Sequence, residues 1–174
     1  MTKRMMRFAI ALVIAMIGQT SASLAAGENV GKAIKASGVT EIRGNIRGEP
    51  VAIQIRTRTL APDISKRTDR LPGLSCTGSR SPCSVLEGMN IQVQGKNVFV
   101  PKSAFIGLSD VVNASLSVDG PRYVLRIVGG DASEAYLVSL VFDRDRVLSR
   151  TVATPTEPNA LVEESTFHSV TVGD

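Results

Sequence analysis

The clearest pattern in the chain is a strict alternation of apolar and polar positions, which recurs in short runs between residues 39 and 172. The strongest run covers residues 51–58, and a weaker one covers residues 40–48. Alternation with a period of two predicts β-strands that are buried on one face only. In the strongest run, the face expected to be buried consists of Val51, Ile53, Ile55 and Thr57.

Short turn sequences separate the later runs. Gly95-Lys96-Asn97 predicts a hairpin around residues 91–100, and Asp119-Gly120 predicts a second hairpin around residues 112–127. The apolar face of the first strand in that second hairpin is expected to be Val112, Ala114, Leu116 and Val118. Further strands are expected at 136–142, 147–152 and 161–172.

Seven to nine strands joined by short turns predict an all-β, antiparallel fold, because no strand alternates with a helical pattern. The architecture expected is a single β-sandwich, with a strongly curved meander or a closed barrel as the alternative. One short helix is expected at Glu28–Ser37, where Val30, Ala33 and Ile34 share a helical face and Gly38 follows as a stop.

The first 25 residues have the features of a cleavable export signal. A basic start with Lys3, Arg4 and Arg7 precedes the uncharged apolar run 8–17, and small residues follow at 21–26. This apolar run is about half of the roughly 20 residues needed to cross a bilayer. We therefore expect a Sec-type signal peptide at 1–25, a single β-rich domain at 26–174, and a periplasmic or secreted location without a transmembrane segment in the mature chain.

Charge is distributed unevenly along the expected mature chain. Residues 26–102 contain twelve Lys and Arg against six acids, whereas residues 103–174 contain five against ten. An uneven distribution of this kind favours contact with an acidic partner or an anionic envelope surface, provided that folding keeps the two halves apart.

Cys76 and Cys83 are the only cysteines, and both lie in the part expected to be exported. In an oxidising compartment these two have a single intramolecular pairing, so a Cys76–Cys83 disulfide is expected. The six residues between them are typical of loops, and the disulfide would fix a loop that presents Arg80 to a partner.

The sequence contains few of the groups that known catalytic or cofactor sites require. His168 is the only histidine, both cysteines are committed to the disulfide, and no phosphate-binding or dinucleotide-binding glycine motif occurs. No metal, no cofactor and no catalytic residue are therefore predicted. Aromatic residues make up 4% of the chain and Trp is absent, so a nucleic-acid partner is not expected either.

Candidate binding residues occur in two further places. Arg56 and Arg58 fall on the polar face of the strongest strand, where a guanidinium pair suits phosphate, carboxylate or an acidic protein surface, although solvated edge residues explain them equally well. Gly129 and Gly130 precede Asp131 and Ser133, and the glycines would aim these two side chains at a ligand, but a wide hairpin turn is the favoured explanation.

These observations favour an exported, non-catalytic β-domain that binds another envelope macromolecule, with an inhibitor or immunity protein as one concrete form. Two alternatives remain open from the sequence. One is a β-barrel that binds a small apolar ligand, and the other is a hydrolase that uses His168 as its base.

Overall fold

A computed structural model of the chain describes residues 29–61, 76 and 82–169, which form ten strands, two 3₁₀ turns and no α-helix. Nowhere in these ranges is there a helix with the length and apolar character needed to cross a membrane. The strands are β1 Val30–Ala33, β2 Gly38–Ile46, β3 Glu49–Thr59, β4 Ser84–Val93, β5 Lys96–Val98, β6 Val111–Asp119, β7 Arg122–Gly129, β8 Tyr136–Phe142, β9 Val147–Ala153 and β10 Leu161–Thr166. The 3₁₀ turns are Lys102–Ala104 and Ala132–Glu134. The all-β, antiparallel prediction is thereby confirmed.

The four-stranded sheet has the order β2-β3-β4-β5. Its central strand β3 has the alternation expected from the sequence, because Val51, Ile53, Ile55 and Thr57 are all buried and the residues between them are not. Across the sheet, Ile53 lies opposite Ile42 on β2 and Ile91 on β4. This register places the β-branched side chains of three strands on one inner face.

The six-stranded sheet has the order β1-β6-β7-β8-β9-β10 and contains the second half of the chain together with β1. Leu116, Leu125 and Leu140 lie opposite one another on β6, β7 and β8, and all three are fully buried. One continuous hydrophobic cluster takes residues from the inner faces of both sheets. The two sheets therefore enclose a shared aliphatic core.

Polar contacts join the two sheets at one end of this core. Glu49 on β3 accepts a hydrogen bond from the hydroxyl of Tyr123 on β7, and it forms an ion pair with Arg144 in the turn between β8 and β9. Gln94 also donates to Glu49, over 2.9 Å. The ring of Tyr123 is stacked on Phe142 with 5.2 Å between the ring centroids.

The helix expected at Glu28–Ser37 is wrong for the residues that the structure describes, because Val30–Ala33 form β1. This strand pairs antiparallel with β6, and Ile34 continues the contact by donating its N–H to Val112 O over 2.9 Å. An isolated helix of about ten residues is marginal in water. The free edge of β6 offers backbone partners along its length, so pairing there is the more stable arrangement.

Two details of the predicted hairpins also differ from the structure. The first turn is formed by Gln94 and Gly95, with φ of 53° and 78°, and Lys96 already belongs to β5. Two consecutive residues with positive φ are what a tight two-residue hairpin turn requires.

In the second hairpin, a β-bulge between Val111 and Asn113 changes the register of β6. Val111 is buried as a result, whereas Val112, which was expected on the inner face with Ala114, is 37% exposed. A bulge adds one residue to a strand, so the positions that face the core before the bulge are not those that the alternation after it predicts.

Candidate functional site

The polar face of β3 carries Arg56 and Arg58, as the alternation predicts, and both side chains are exposed on the outer face of the four-stranded sheet. Arg58 forms an ion pair with Glu87, with 3.1 Å between Nε and Oε1. Among the residues that the structure describes, Arg56 has no acidic group within ion-pair distance. Its guanidinium is therefore available to an external anion.

A surface hollow of about 310 Å³ lies beside Arg56. Gly88 of β4 lies directly opposite Arg56, and a Cβ there would meet only the Cβ of Arg56, at 3.8 Å. The missing side chain leaves open the space that the hollow occupies. Apart from Arg56 and Gly88, the hollow is lined by Val39, Gln54, Glu87, Met89 and Asn90.

A second hollow, of about 370 Å³, lies further along the same outer face. Ala52 is one of the residues that line it and lies four residues before Arg56 on β3, which corresponds to about 13 Å along a strand. The arginine of this hollow, Arg43, is paired with Glu41 at 2.9 Å. The pairing lowers the pKa of the Glu41 carboxyl, chiefly through the hydrogen bond from Arg43. Of the two hollows, only the one at Arg56 thus has an uncompensated cation among the described residues.

The chain fills one sheet and then the other, apart from β1, but the described charges do not divide in the same way. The boundary near residue 102 falls in the connection between β5 and β6, where the chain passes from the four-stranded to the six-stranded sheet. The strands of the four-stranded sheet carry four basic and three acidic side chains, and the strands of the six-stranded sheet carry the same numbers. Four of the twelve basic residues counted in 26–102 lie outside the described residues, so the uneven distribution of charge stays a property of the sequence.

Asp131 and Ser133 lie elsewhere, in the connection from β7 to β8 on the six-stranded sheet, and both are exposed. The two glycines before them are required by packing. Gly130 has φ of 74°, and a Cβ there would lie 2.2 Å from Glu134 O; a Cβ at Gly129 would meet the hydroxyl of Tyr136 at the same distance. These contacts explain the glycines as parts of a tight turn, and the structure does not bring Asp131 or Ser133 to the face that carries Arg56. Arg80 lies outside the described residues.

The Cys76–Cys83 disulfide is formed, with 5.6 Å between the Cα atoms. Its surroundings contain Asp110, which sequence reasoning missed. The sulfur atoms and a carboxylate oxygen of Asp110 lie within 4.8 Å of one another, but sulfurs joined in a disulfide are not the thiolates that a metal ion binds.

Asp110 itself is buried and has φ of 48°. It exchanges two hydrogen bonds with Ser84: its N–H donates to Ser84 O over 2.6 Å, and its Oδ1 accepts the Ser84 N–H over 2.9 Å. Its carbonyl accepts the N–H of Gly130 over 3.2 Å. Asp110 thus fixes the start of β4 to the β7–β8 connection. An Asp before a strand looks like any turn residue in the sequence, so no local pattern pointed to it.

Tyr136 completes this buried region by donating its hydroxyl to Ser109 O over 2.6 Å. Burial raises the pKa of Tyr136 far above its ordinary value, and the negative charge of Asp110 raises it further. The hydroxyl therefore stays protonated and acts as a donor in a structural contact.

His168 follows the end of β10, and its side chain is exposed. The partly buried residue before it, Phe167, packs against the main core and donates its N–H to Leu148 O over 2.8 Å. The described part of the chain places His168 on the six-stranded sheet, away from the hollow beside Arg56.

No family model, curated protein or solved structure matches this chain.

Proposed function

We propose that this protein is an exported, non-catalytic binding domain that holds an acidic segment of another envelope macromolecule on the outer face of its four-stranded sheet. The observation that carries the proposal is Arg56, an exposed arginine that opens onto a hollow and has no acidic group within ion-pair distance among the described residues. Glu87, which also lines this hollow, is paired with Arg58. The other two arginines on this face, Arg43 and Arg58, are each paired with a glutamate.

The chemistry of the hollow suits a carboxylate. A guanidinium binds a carboxylate through two parallel N–H donors, and such pairs are stronger than neutral hydrogen bonds. The amides of Gln54 and Asn90 stand beside it as further donors, and Met89 and Val39 provide apolar contact for the rest of an acidic side chain. An Asp or Glu on the partner, or an acidic sugar, has the required group.

The charge of the sequence supports an acidic partner. Residues 26–102, which include all four strands of this sheet, contain twelve Lys and Arg against six acids. The signal-like first 25 residues and the disulfide support a role outside the cytoplasm. An inhibitor or immunity protein is one form that such a binding domain would take.

Of the architectures expected from the sequence, the sandwich is better supported than the curved meander or barrel, because two separate sheets enclose one core. The sheets approach each other at one side, where Phe99 makes an isolated bridge to Arg146. Fully buried aliphatic side chains occupy the space between the sheets, which favours the binding face over an interior apolar ligand. A hydrolase that uses His168 as its base gains no support, because the His168 side chain is exposed to solvent.

The test is capture of an envelope partner by wild-type protein and by Arg56→Gln. The protein is expressed from residues 1–174, purified in the form that the cells accumulate, and immobilised. Envelope extract is passed over it, and the retained proteins are identified by mass spectrometry. The affinity of each retained protein for the wild type and the variant is then measured by titration. Loss of a charged hydrogen bond weakens binding by about tenfold or more, so Arg56→Gln should lose most of the partner. Arg56→Glu should lose all of it, and high salt should weaken the wild type.

Arg122→Gln is the matched control, since Arg122 is also an exposed strand arginine but lies on β7 of the other sheet. It should bind within about twofold of the wild type, because surface substitutions outside an interface have little effect. Equal retention by wild type and both Arg56 variants would remove the basis of the proposal.

A further inference from the structure

The connection between β5 and β6 exposes two large apolar side chains, Phe99 and Ile106. They are 68% and 57% exposed, whereas Ala104 and Phe105 between them are buried in the main core. The protein has only five Phe and no Trp. A solvent-exposed aromatic ring is therefore notable in a chain with so few aromatic residues. Neither side chain lines the hollows beside Arg56 or Ala52.

The backbone beneath these side chains is held in place. Phe99 donates its N–H to Asp145 O over 2.7 Å and accepts from Val147 N over 2.9 Å, which attaches it to the start of β9. The 3₁₀ turn Lys102–Ala104 follows, and its C-terminal neighbours Phe105 and Ile106 both donate to Lys102 O. The ring of Phe99 is thus presented on an ordered support, which reduces the entropy lost when it binds.

Two exposed lysines lie close to Phe99 along the chain. Lys96 precedes it by three residues on β5, and Lys102 follows it by three residues in the 3₁₀ turn. The adjacent β8–β9 turn adds Arg144, which is paired with Glu49, and Arg146, together with Asp143 and the exposed Asp145. The Asp143 carboxylate accepts the N–H groups of Asp145 and Arg146 over 2.8 Å each, so it is engaged within its own turn.

We propose that this connection docks on the surface of an anionic phospholipid bilayer, with Phe99 and Ile106 entering the interfacial region and the two lysines contacting headgroup phosphates. Aromatic and aliphatic side chains flanked by lysine are the combination that binds bilayer interfaces, and each basic residue near an anionic leaflet adds to the attraction. The bilayer is favoured over a protein partner because exposed apolar and basic side chains occur in the same stretch of chain, and the apolar ones line neither hollow on the binding face.

This inference uses none of the residues at the hollow beside Arg56, so the two proposals fail or succeed separately. A domain anchored through this connection would stay close to the membrane while its four-stranded sheet binds a partner. Weak, reversible contact is expected, because one ring, one aliphatic chain and two lysines bury little apolar area.

The absence of Trp provides a direct test. In Phe99→Trp the indole is the only tryptophan, and its emission should shift to shorter wavelength when the protein is mixed with vesicles of phosphatidylglycerol and phosphatidylcholine. Vesicles of phosphatidylcholine alone should leave the emission unchanged. Adding Lys96→Gln and Lys102→Gln to this variant should weaken binding by about fivefold for each lysine removed.

Val162→Trp is the matched control, because Val162 is 75% exposed on β10, far along the chain among acidic residues. Its emission should not respond to either vesicle. Sedimentation of the unlabelled wild type with anionic vesicles, compared with Phe99→Ala, shows whether the native ring has the same role.

The proposal is overturned if Phe99→Trp emission is unchanged by anionic vesicles, or if Val162→Trp responds equally. It is also overturned if Phe99→Ala sediments with vesicles as well as the wild type does, while losing a captured envelope protein; that result would make the connection a protein interface. Circular dichroism of each variant confirms that the fold is retained.

Discussion

Four residues other than glycine have a left-handed backbone within the part of the chain that the structure describes: Arg47, Gln94, Asp110 and Ala132. Arg47 and Gln94 lie in tight hairpin turns, each followed by a glycine with φ of 78°. Asp110 accepts the N–H of Gly130, where the chain leaves β7, and Ala132 follows Gly130 by two residues. The unusual backbone is therefore concentrated in turns and around the buried Asp110, where three hydrogen bonds fix its position.

Gly130→Ala should destabilise the protein by about 2 to 3 kcal/mol, because the residue has φ of 74° and a Cβ would lie 2.2 Å from Glu134 O. Gly120→Ala is the matched control: its φ is also positive, at 52°, but a Cβ there meets nothing within 4 Å. The control should cost about 1 kcal/mol. Urea unfolding of both variants measures the difference, and equal losses would show that the contact with Glu134 is relieved without cost.

Glu49 is the second residue whose surroundings lead to a prediction. The hydrogen bonds from Tyr123 and then from Arg144 lower its pKa below the ordinary value of 4.5. A carboxyl with a lower pKa in the folded state stabilises the fold above the unfolded pKa, and this contribution is lost as the pH falls through the folded value. The wild type should therefore lose stability on acidification below about pH 4.5.

Glu49→Gln should have a lower Tm than the wild type near neutral pH and a shallower decrease between about pH 6 and about pH 3. Tyr123→Phe keeps the ring stacked on Phe142 and removes only the hydroxyl. Its Tm near neutral pH should therefore lie between those of the wild type and Glu49→Gln. Some pH dependence should persist in both variants, because Arg43 also lowers the pKa of Glu41. Parallel Tm curves for wild type and Glu49→Gln would show that the contact does not contribute in this way.

At the scale of elements, β3 determines the organisation of the four-stranded sheet. It pairs with β2 on one side and β4 on the other, its inner face supplies the core, and its outer face carries Arg56. The same alternation that buries Ile55 and Thr57 exposes the arginine between them. Displacing the strand by one residue would bury the arginines and expose the isoleucines, so the core and the candidate site depend on one register.

Ile53→Ala should cost about 2 to 5 kcal/mol, because the side chain is fully buried between Ile42 and Ile91 and its removal leaves a cavity. Gln54→Ala, at the next position on the exposed face, should change stability by about 0.5 kcal/mol or less. Chemical denaturation distinguishes the two. Comparable losses would mean that the inner and outer faces of β3 are assigned incorrectly.

At the scale of the whole molecule, the chain fills one sheet and then the other, apart from β1. The connection that carries Phe99 is the point where the chain crosses from the four-stranded to the six-stranded sheet. The hollow beside Arg56 lies on the outer face of one sheet, whereas Phe99 lies in the connection between the sheets. The two proposals therefore use different residues in different parts of the fold.

The disulfide acts on the whole molecule through the unfolded state. Cross-linking residues seven apart in sequence restricts the unfolded chain, which should contribute about 2.5 kcal/mol by the loop-closure estimate. Cys76→Ser should lose about this amount in urea unfolding under oxidising conditions. Under a dithiol reductant the variant and the wild type should have the same stability, and a persistent difference would point to a role of the Cys76 side chain beyond the bond.

The sequence by itself determined the features that depend on neighbouring residues. Alternation along residues 51–58 is enough to define an inner and an outer face, and two cysteines in one chain have one pairing. It also correctly placed Arg56 and Arg58 on the exposed face of a strand. The export signal and its cleavage remain predictions, because residues 1–28 lie outside the described part of the chain.

Only the tertiary structure decided which strands are neighbours, and everything that depends on long-range pairing followed from that. An alternation with a period of two looks the same in an edge strand and in a central strand. It could not show that residues 30–33 would form a strand paired with β6 and not the expected helix. Nor could it place Gly88 opposite Arg56, or the Glu49 carboxylate beside a tyrosine 74 residues away. Such contacts arise when one core is closed between two sheets, because only then does burial select one register and one strand order among the many that the local pattern allows.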